Sequence, residues 1–430
     1  MFYKPENLDT MKINNETHPQ GYKMTELGAL PEEWEVVKFD SCIIKQNIKV
    51  EKIKKQEYKI YGRYPVIDQG QDLIAGYWDN EKDVYKKNLP VIIFGDHTRI
   101  IKYIDFPFVT GADGTKILVP NTSVAFPRFF YYSLLNLKIP SRGYNRHYSL
   151  LRESKIPLPP LDEQQKIAAV LSALQEAKEK TQEVIDATKA LKQSMMKHLF
   201  TYGPVSLKEA ENVPLKETEI GPMPEDWEVM RLGEVFEFSK KPKNLNINQD
   251  NSIPFIPMEM ISETNKSIKS WERRKNSEIS SGSFVFKNDI IIAKITPSFE
   301  NGKQAILDNL PTDFGYATTE IWALHPTKNK KAITYYLYYY LKINFIRKTL
   351  AEKMEGSTGR QRLPKHVLKN MQIPLPPLDV QQKIASILSA IDEKIEAEEN
   401  KKKALEELFK SLLHNLMTAK IRINQLELSS

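Results

Sequence analysis

Apolar residues recur at alternating spacings of three and four along two long stretches of the chain. In the first they fall at Ile167, Val170, Leu174 and Ala177, then at Thr181, Val184, Thr188, Leu191 and Met195. In the second they fall at Ile384, Leu388, Ile391 and Ile395 and, after a charged middle, at Leu405, Phe409, Leu412 and Leu416. This is a heptad seam with soft or polar members at its centre. The spacing predicts a helix from Asp162 to about Phe200, roughly 55 Å long at 1.5 Å per residue. The stop signal Tyr202-Gly203-Pro204 closes it. Each seam is too narrow to stand alone, and the natural partner of each is the other.

The two helices open on the same words. Ile156-Pro157-Leu158-Pro159-Pro160-Leu161-Asp162 returns as Ile373-Pro374-Leu375-Pro376-Pro377-Leu378-Asp379. Carried on to Leu174 and Ile391, the copies differ only at Glu163/Val380, Ala169/Ser386, Val170/Ile387 and Leu174/Ile391. The chain is therefore an internal duplication. The prolines force extended backbone on the residues before them, so no helix enters from upstream. Asp162 and Asp379 are placed to cap the first free N–H groups, with Gln165 and Gln382 at capping-box spacing.

The repeat covers whole modules. Thr25-Glu26-Leu27-Gly28-Ala29-Leu30-Pro31-Glu32-Glu33-Trp34-Glu35-Val36 opens the first, and Thr218 to Val229 echoes it through Pro224-Glu225-Asp226-Trp227-Glu228-Val229. Between opening motif and helix lie bodies whose residues hardly match. The first, about 35–155, carries β-rich runs at Val91–Phe94 and Lys116–Val119 and an amphipathic helix over Phe126–Leu137. The second, about 228–372, repeats that order with runs at Phe284–Phe286, Asp289–Ala293 and Glu320–Leu324, then a Tyr-rich helix over Ala332–Met354. The fold class is α+β, with two similar α/β domains each followed by a long helix.

After its helix each body has a polar loop at the same distance from the hinge. The first holds Arg142, Tyr144, Asn145, Arg146 and His147; the second holds Arg360, Gln361 and Arg362. Arg, Asn and Gln read base edges through paired hydrogen bonds, and Arg and Lys neutralise phosphate. The words Gly95-Asp96-His97-Thr98-Arg99 and Gly111-Ala112-Asp113-Gly114-Thr115-Lys116 predict turns that place His97, Arg99 and Lys116 on one rim. The corresponding loop of the second body offers Lys294, Thr296 and Ser298. Arg273-Arg274-Lys275 and Lys240-Lys241-Pro242-Lys243 are charge runs, with Lys241, Lys243, Arg273 and Arg274 as further candidates for DNA contact; an ordinary solvated face is the alternative for each.

Composition adds bounds. With 62 Lys+Arg against 55 Asp+Glu the net charge is +7, which permits nucleic-acid binding without requiring it. Cys42 is the only cysteine, so there is no disulfide framework and no cysteine zinc site. The start of the chain lacks an apolar signal core and no apolar run approaches the ~20 residues of a membrane span. These point to a soluble, cytoplasmic protein. No phosphate loop, dinucleotide fingerprint or amino-methyltransferase motif occurs, and the seven histidines are scattered. Neither a catalytic residue nor a metal site is legible.

The doubled Ile-Pro-Leu-Pro-Pro-Leu-Asp-x-Gln-Gln-Lys-Ile-Ala words and the doubled Pro-Glu-x-Trp-Glu-Val words resemble the specificity (S) subunits of type I restriction–modification systems. Gly111–Lys116 and Ala293–Ser298 support the resemblance, which runs from about Thr25 to Ile423. It implies two target recognition domains, each reading one half of a split double-stranded DNA site. It also implies two conserved helices packed as an antiparallel coiled coil with pseudo-two-fold symmetry, acting as the ruler between half-sites and docking two modification (methyltransferase) subunits. Restriction (motor-nuclease) subunits join that core. Adenine methylation and ATP-driven cleavage, with their S-adenosylmethionine, ATP and Mg, then belong to the partners, and this chain needs no cofactor. The expected boundaries are leader 1–24, first recognition domain 25–155, central helix 156–203, linker 204–217, second recognition domain 218–372, C-terminal helix 373–423 and tail 424–430. A modification-only complex, a DNA-modifying enzyme with an unrecognised site and a protein-binding scaffold are the competing readings.

Overall fold

The computed structural model describes residues 19–423 apart from Asn47, Lys49, Arg142, Tyr144, Lys330 and Thr358. It divides into two compact units, one built from residues up to Thr181 together with those from Lys401, the other from Gln182–Asn400. The two long helices, Leu161–Tyr202 and Leu378–Met417, each give one half to either unit.

In the first unit the opening motif is a hairpin, Tyr22–Thr25 against Gly28–Pro31. Its first strand begins at Tyr22, inside the stretch expected to be leader. The turn needs a positive φ at Gly28 (102°), and Thr25 Oγ1 donates to the Gly28 carbonyl at 2.8 Å. The second unit repeats the device: Leu215–Lys216 pairs Met223–Pro224, Gly221 has φ 103°, and Thr218 Oγ1 donates to the Gly221 carbonyl at 2.6 Å. The segment expected as a linker is thus structured, with a short helix at Leu207–Ala210 and that strand. Trp34 and Trp227 are buried in the cores of their units.

The hinges form strands before they become helices. Lys155–Leu158 pairs Glu35–Lys38, and Gln372–Leu375 pairs Glu228–Arg231. Both helices start one residue earlier than predicted, at Leu161 and Leu378, so Asp162 and Asp379 lie inside the first turn instead of capping it. There they face the positive end of the helix dipole. Gln165 and Gln382 are exposed. The preceding residues, Gln164 and Gln381, are the buried ones and do the anchoring.

Of its predicted seam the second helix buries Ile384, Leu388 and Leu416 and half-buries Ile391, Ile395, Leu405, Phe409 and Leu412; Leu413, outside that seam, is buried as well. The first buries Ile167 and Thr181 as predicted but leaves Val184 and Leu191 exposed, while Leu171, Ile185 and Leu199, outside the predicted seam, are buried. The working seam runs through Leu171, Lys178, Ile185, Lys192 and Leu199, one residue beyond the apolar choice. Two of its positions are lysines whose stems lie in the seam while their ammonium groups reach out. Lys178 sits 5.6 Å from the Phe409 ring centroid, and Lys192 pairs with Asp392 at 2.5 Å.

Within each unit the helix halves run antiparallel. In the first, Lys178 lies against Phe409 and Glu163 meets Arg422, so positions rise on one strand of the pair as they fall on the other. Ile167 and Leu171 share a core there with Leu413, Leu416 and Met417. In the second, Lys189 pairs Glu399 at 2.7 Å as Lys192 pairs Asp392, and Leu199 shares a core with Ile384 and Leu388.

The two bodies share a seven-strand arrangement despite unlike residues. In the first, strand Tyr64–Ile67 lies antiparallel to Gly76–Trp78 and parallel to Phe108–Gly111, which also pairs Val84–Tyr85. A second sheet centres on Val91–Gly95, flanked by Ile101–Ile104 and Thr115–Leu118. In the second body Ser252–Ile256 pairs Glu272–Lys275 and, in parallel, Phe314–Ala317, which also pairs Ser283–Phe286. Ile290–Ala293 is flanked by Gln304–Ile306 and Ile321–Pro326. These seven strands agree in chain order and pairing sense; the first body adds Lys52–Ile53 beside Phe108–Gly111, and the second adds Phe236–Phe238 beside Ile321–Pro326. The helix after the sheets is Pro127–Asn136 in the first body. In the second the expected single Tyr-rich helix breaks at Lys342-Ile343 into Thr334–Leu341 and Asn344–Ala351. Lys342 Nζ there donates to the carbonyls of Glu263 (2.6 Å) and Gly302 (2.9 Å), and burial lowers its pKa to about 7.

Candidate nucleic-acid interface

In the first body three loops converge on Asp96, buried just after the central strand Val91–Gly95. Its Oδ1 accepts from the backbone N–H groups of His147 (2.9 Å) and Tyr148 (2.8 Å), and its carbonyl accepts from His147 N at 2.8 Å. Its Oδ2 lies 3.9 Å from Lys116 Nζ. The Gly95–Arg99 turn, the Gly111–Lys116 turn and the polar loop ending at His147 are thereby one structure. Gln69 ties two of them: its Oε1 accepts from His97 N (3.1 Å), and its Nε2 donates to the Asp113 carbonyl (3.0 Å).

His97 is half-buried, and Arg99, Asn145 and Arg146 are exposed. Arg99 adopts a left-handed backbone (φ 63°) and donates to the Ile139 carbonyl at 2.9 Å. His147 is fully buried with its Nδ1 3.0 Å from the Asp96 carbonyl, so it holds the loop and offers nothing to a ligand. Arg142 and Tyr144 lie outside the described residues. Sequence reasoning missed Lys52, whose Nζ donates to the Thr115 carbonyl at 3.2 Å. Burial lowers its pKa, and Lys116 and Arg146 push the same way. Lys52, Lys116 and Arg146 thus act on one another as like charges, with Asp113 and Asp96 opposing them.

The second body pins its loop by the same backbone bond. Leu363 N donates to the Lys294 carbonyl at 2.7 Å, as His147 N does to Asp96. Thr296 N donates to the Gln361 carbonyl at 3.0 Å, and Glu355 and Arg362 exchange both backbone bonds. Thr296, Ser298 and Gln361 are partly exposed; Arg360 and Arg362 are exposed. Lys294 is not available as expected. It is 7 % exposed with its Nζ 3.9 Å from the Trp322 ring centroid, and desolvation, then Arg362, lowers its pKa. Arg274 is likewise engaged, stacked 3.7 Å over Phe255 and bonded to Glu272 at 2.7 Å. Lys241, Lys243 and Arg273 are exposed, and among the described residues no hydrogen bond or ion pair joins them to the 294–298 and 355–362 loops.

One constellation has catalytic residue types. Ser239 Oγ donates to Asp289 Oδ2 at 2.5 Å and lies 2.9 Å from His325 Nδ1, with Glu237 3.2 Å from His325 Nε2. A nucleophilic serine gives its proton to an imidazole that a carboxylate orients. Here the serine hydroxyl donates to Asp289 instead of to the imidazole, so the serine–imidazole–carboxylate order of such a relay is not present.

The family described as "Type I restriction modification DNA specificity domain" matches residues 31–187 and again 224–407. The MjaVIII specificity subunit of a type I restriction enzyme from Methanocaldococcus jannaschii is 26 % identical over 443 residues, covering 99 % of this chain and 98 % of that one. The EcoAI specificity subunit of Escherichia coli is 35 % identical over 164 residues, 38 % of this chain and 27 % of that one. Among solved structures, the type I restriction–modification S subunit of M. genitalium superposes with a TM-score of 0.58 at 18 % identity, covering 94 % of this chain and 98 % of that one. Two domain matches on a duplicated frame, and relatives aligned from end to end, place this chain in the type I restriction–modification DNA specificity family.

Proposed function

We propose that this chain is the non-catalytic reader of a type I complex, in which each body recognises one half of a bipartite duplex site. Sequence is read from base edges, so specificity belongs in the parts that differ between copies. Spacing is set by stiff elements, so the helices, nearly identical at their starts, act as the ruler. They also dock two methyltransferase subunits, and motor-nuclease subunits join that core; S-adenosylmethionine, ATP and Mg sit on those partners, in the cytoplasm. One observation carries this reading: a shared seven-strand arrangement and a matching loop pin, at His147 and Leu363, present polar loops on bodies whose residues otherwise hardly match. Counting back from the pin, Asn145 stands in one loop where Gln361 stands in the other, and Arg146 where Arg362 stands.

The test is to exchange residues 35–155 for the first body of another family member and map methylated adenines made by the assembled complex. Only one half-site changes if the bodies read independently. A change in both halves, or in neither, overturns the reading.

A further inference from the structure

The loop between Lys52 and Arg63 of the first body carries a feature that base-edge and phosphate contacts do not use. Ile60 and Tyr61, adjacent in sequence, are 80 % and 85 % exposed. A folded chain gains nothing in isolation from holding two large apolar side chains in water side by side. The tip is not slack. Lys59 exchanges both backbone bonds with Tyr77 (3.0 and 2.9 Å), and Asp79 takes Lys59 Nζ at 2.8 Å and Arg63 N at 2.9 Å. A Cβ at Gly62 would stand 2.8 Å from Tyr77 Cβ, so only glycine lets the chain double back there.

Two further observations say what the tip faces. Its flanks are basic in sequence: Lys52, Lys54, Lys55, Lys59 and Arg63 stand on either side of it, Glu57 is the one acidic residue between Lys52 and Arg63, and Asp79 pairs with Lys59. And the loop is bonded to the rim already described. Ala112 N donates to the Ile53 carbonyl (2.8 Å) and is 3.1 Å from Tyr58 OH, and Lys52 reaches Thr115. An exposed apolar pair on a lysine-rich loop bonded to the Lys52–Lys116 rim is complementary to a nucleic-acid duplex, whose phosphates flank an apolar base stack. It is a poor fit to a protein surface, where the cations would lack a matching polyanion.

We propose that Ile60-Tyr61 is a wedge that enters the DNA groove at the first half-site and packs on or between bases, while Lys54 and Lys55 hold the flanking phosphates. This rests on the first body being a DNA reader. Apolar side chains that enter a base step partly unstack it, so the wedge reads how easily a step opens. The second body has a basic run at the matching place, Lys240 to Lys243, with no apolar pair beside it.

The test uses the full chain assembled with its methyltransferase subunits. Binding is measured across a salt series to the duplex that methylation mapping identifies and to a random-sequence duplex of equal length. The variants are Ile60→Ser/Tyr61→Ser and, as control, Lys54→Ala/Lys55→Ala. The wedge variant should bind its target roughly ten- to hundredfold more weakly with an unchanged salt slope. The lysine variant should lower the slope by about two. Both should keep the parent's melting temperature, since the residues lie in solvent. If the wedge variant binds like the parent, while the parent still prefers its target, the wedge is wrong and the reader stands. If the wedge variant instead loses its methyltransferase subunits, the tip is a protein contact and the proposal falls. A parent without salt-dependent DNA binding overturns the reader and the wedge together.

Discussion

The side chain of Gln164 accepts a hydrogen bond from the backbone N–H of Phe126 at 2.8 Å while donating to the Pro159 carbonyl at 2.8 Å. Phe126 starts the body's helix and Pro159 ends the hinge, so one buried amide joins body, hinge and long helix. Gln381 repeats every part of this with Ile333 (3.1 Å) and Pro376 (2.8 Å), and donates also to Lys331 as Gln164 does to Val124. Tyr132 OH meets Ser172 Oγ at 3.1 Å and Tyr339 OH meets Ser389 Oγ at 3.2 Å, which extends the match down the helix.

Gln164→Ala should therefore destabilise the first unit by about 2–4 kcal/mol, because it strands buried backbone donors and acceptors. Gln164→Glu should fail similarly, since a carboxylate accepts from Phe126 but donates to neither carbonyl. Urea unfolding, with hydrogen exchange at the Phe126 amide, checks this; an unchanged midpoint would refute the anchoring role.

The units differ at one point of the repeated word. Glu163 accepts from Trp34 Nε1 at 2.9 Å and pairs with Arg422, which also reaches Glu33 at 2.5 Å. The second copy has Val380 there. Arg422→Ala should cost about 1–3 kcal/mol and loosen the residues after the second helix, because it leaves a mostly buried carboxylate with only the indole. In a double-mutant cycle with Glu163→Val the two effects should not add; additivity would show that the pair is uncoupled.

Burial raises the Asp289 pKa from 3.8 to about 7, against the donors Ser239 and Phe286. The folded state then keeps a proton that the unfolded chain releases, so this contribution is complete below the unfolded value and is lost as pH rises through 7. His325 and Glu237 are the titratable groups beside it. Between about pH 5 and pH 8 the parent should lose more stability than Asp289→Asn. Equal losses in urea unfolding would contradict the assignment.

The duplication and the central strands of each body were legible because repeated words and hydrophobic period survive without tertiary information. The first seam was not. Lys178 and Lys192 occupy positions that Ile395 and Phe409 hold in the second copy, and a lysine stem is invisible to an apolar count. Ile395 and Phe409 in the second copy mark the same seam. Burial of His147 and Lys294 was hidden for a related reason: both look like ligands in sequence, and only the loop pins and Trp322 reveal what they touch. Lys52 and Gln69 stood in unremarkable surroundings, joined to the rim by contacts far along the chain.

Arg360 stands exposed at the tip of a pinned hairpin. Arg360→Ala should weaken specific binding by about 1–3 kcal/mol and relax one position of the second half-site. Methylation mapping distinguishes this from a phosphate contact, which would lower the salt slope and leave every letter in place.

The central claim is that the paired helices measure and the bodies read. Removing one heptad from each long helix shortens the rod by ~10.5 Å, about three base pairs of duplex. Adenine methylation mapped for the assembled variant should show the same half-site letters separated by a shorter spacer. Altered letters at an unchanged spacer would contradict the account.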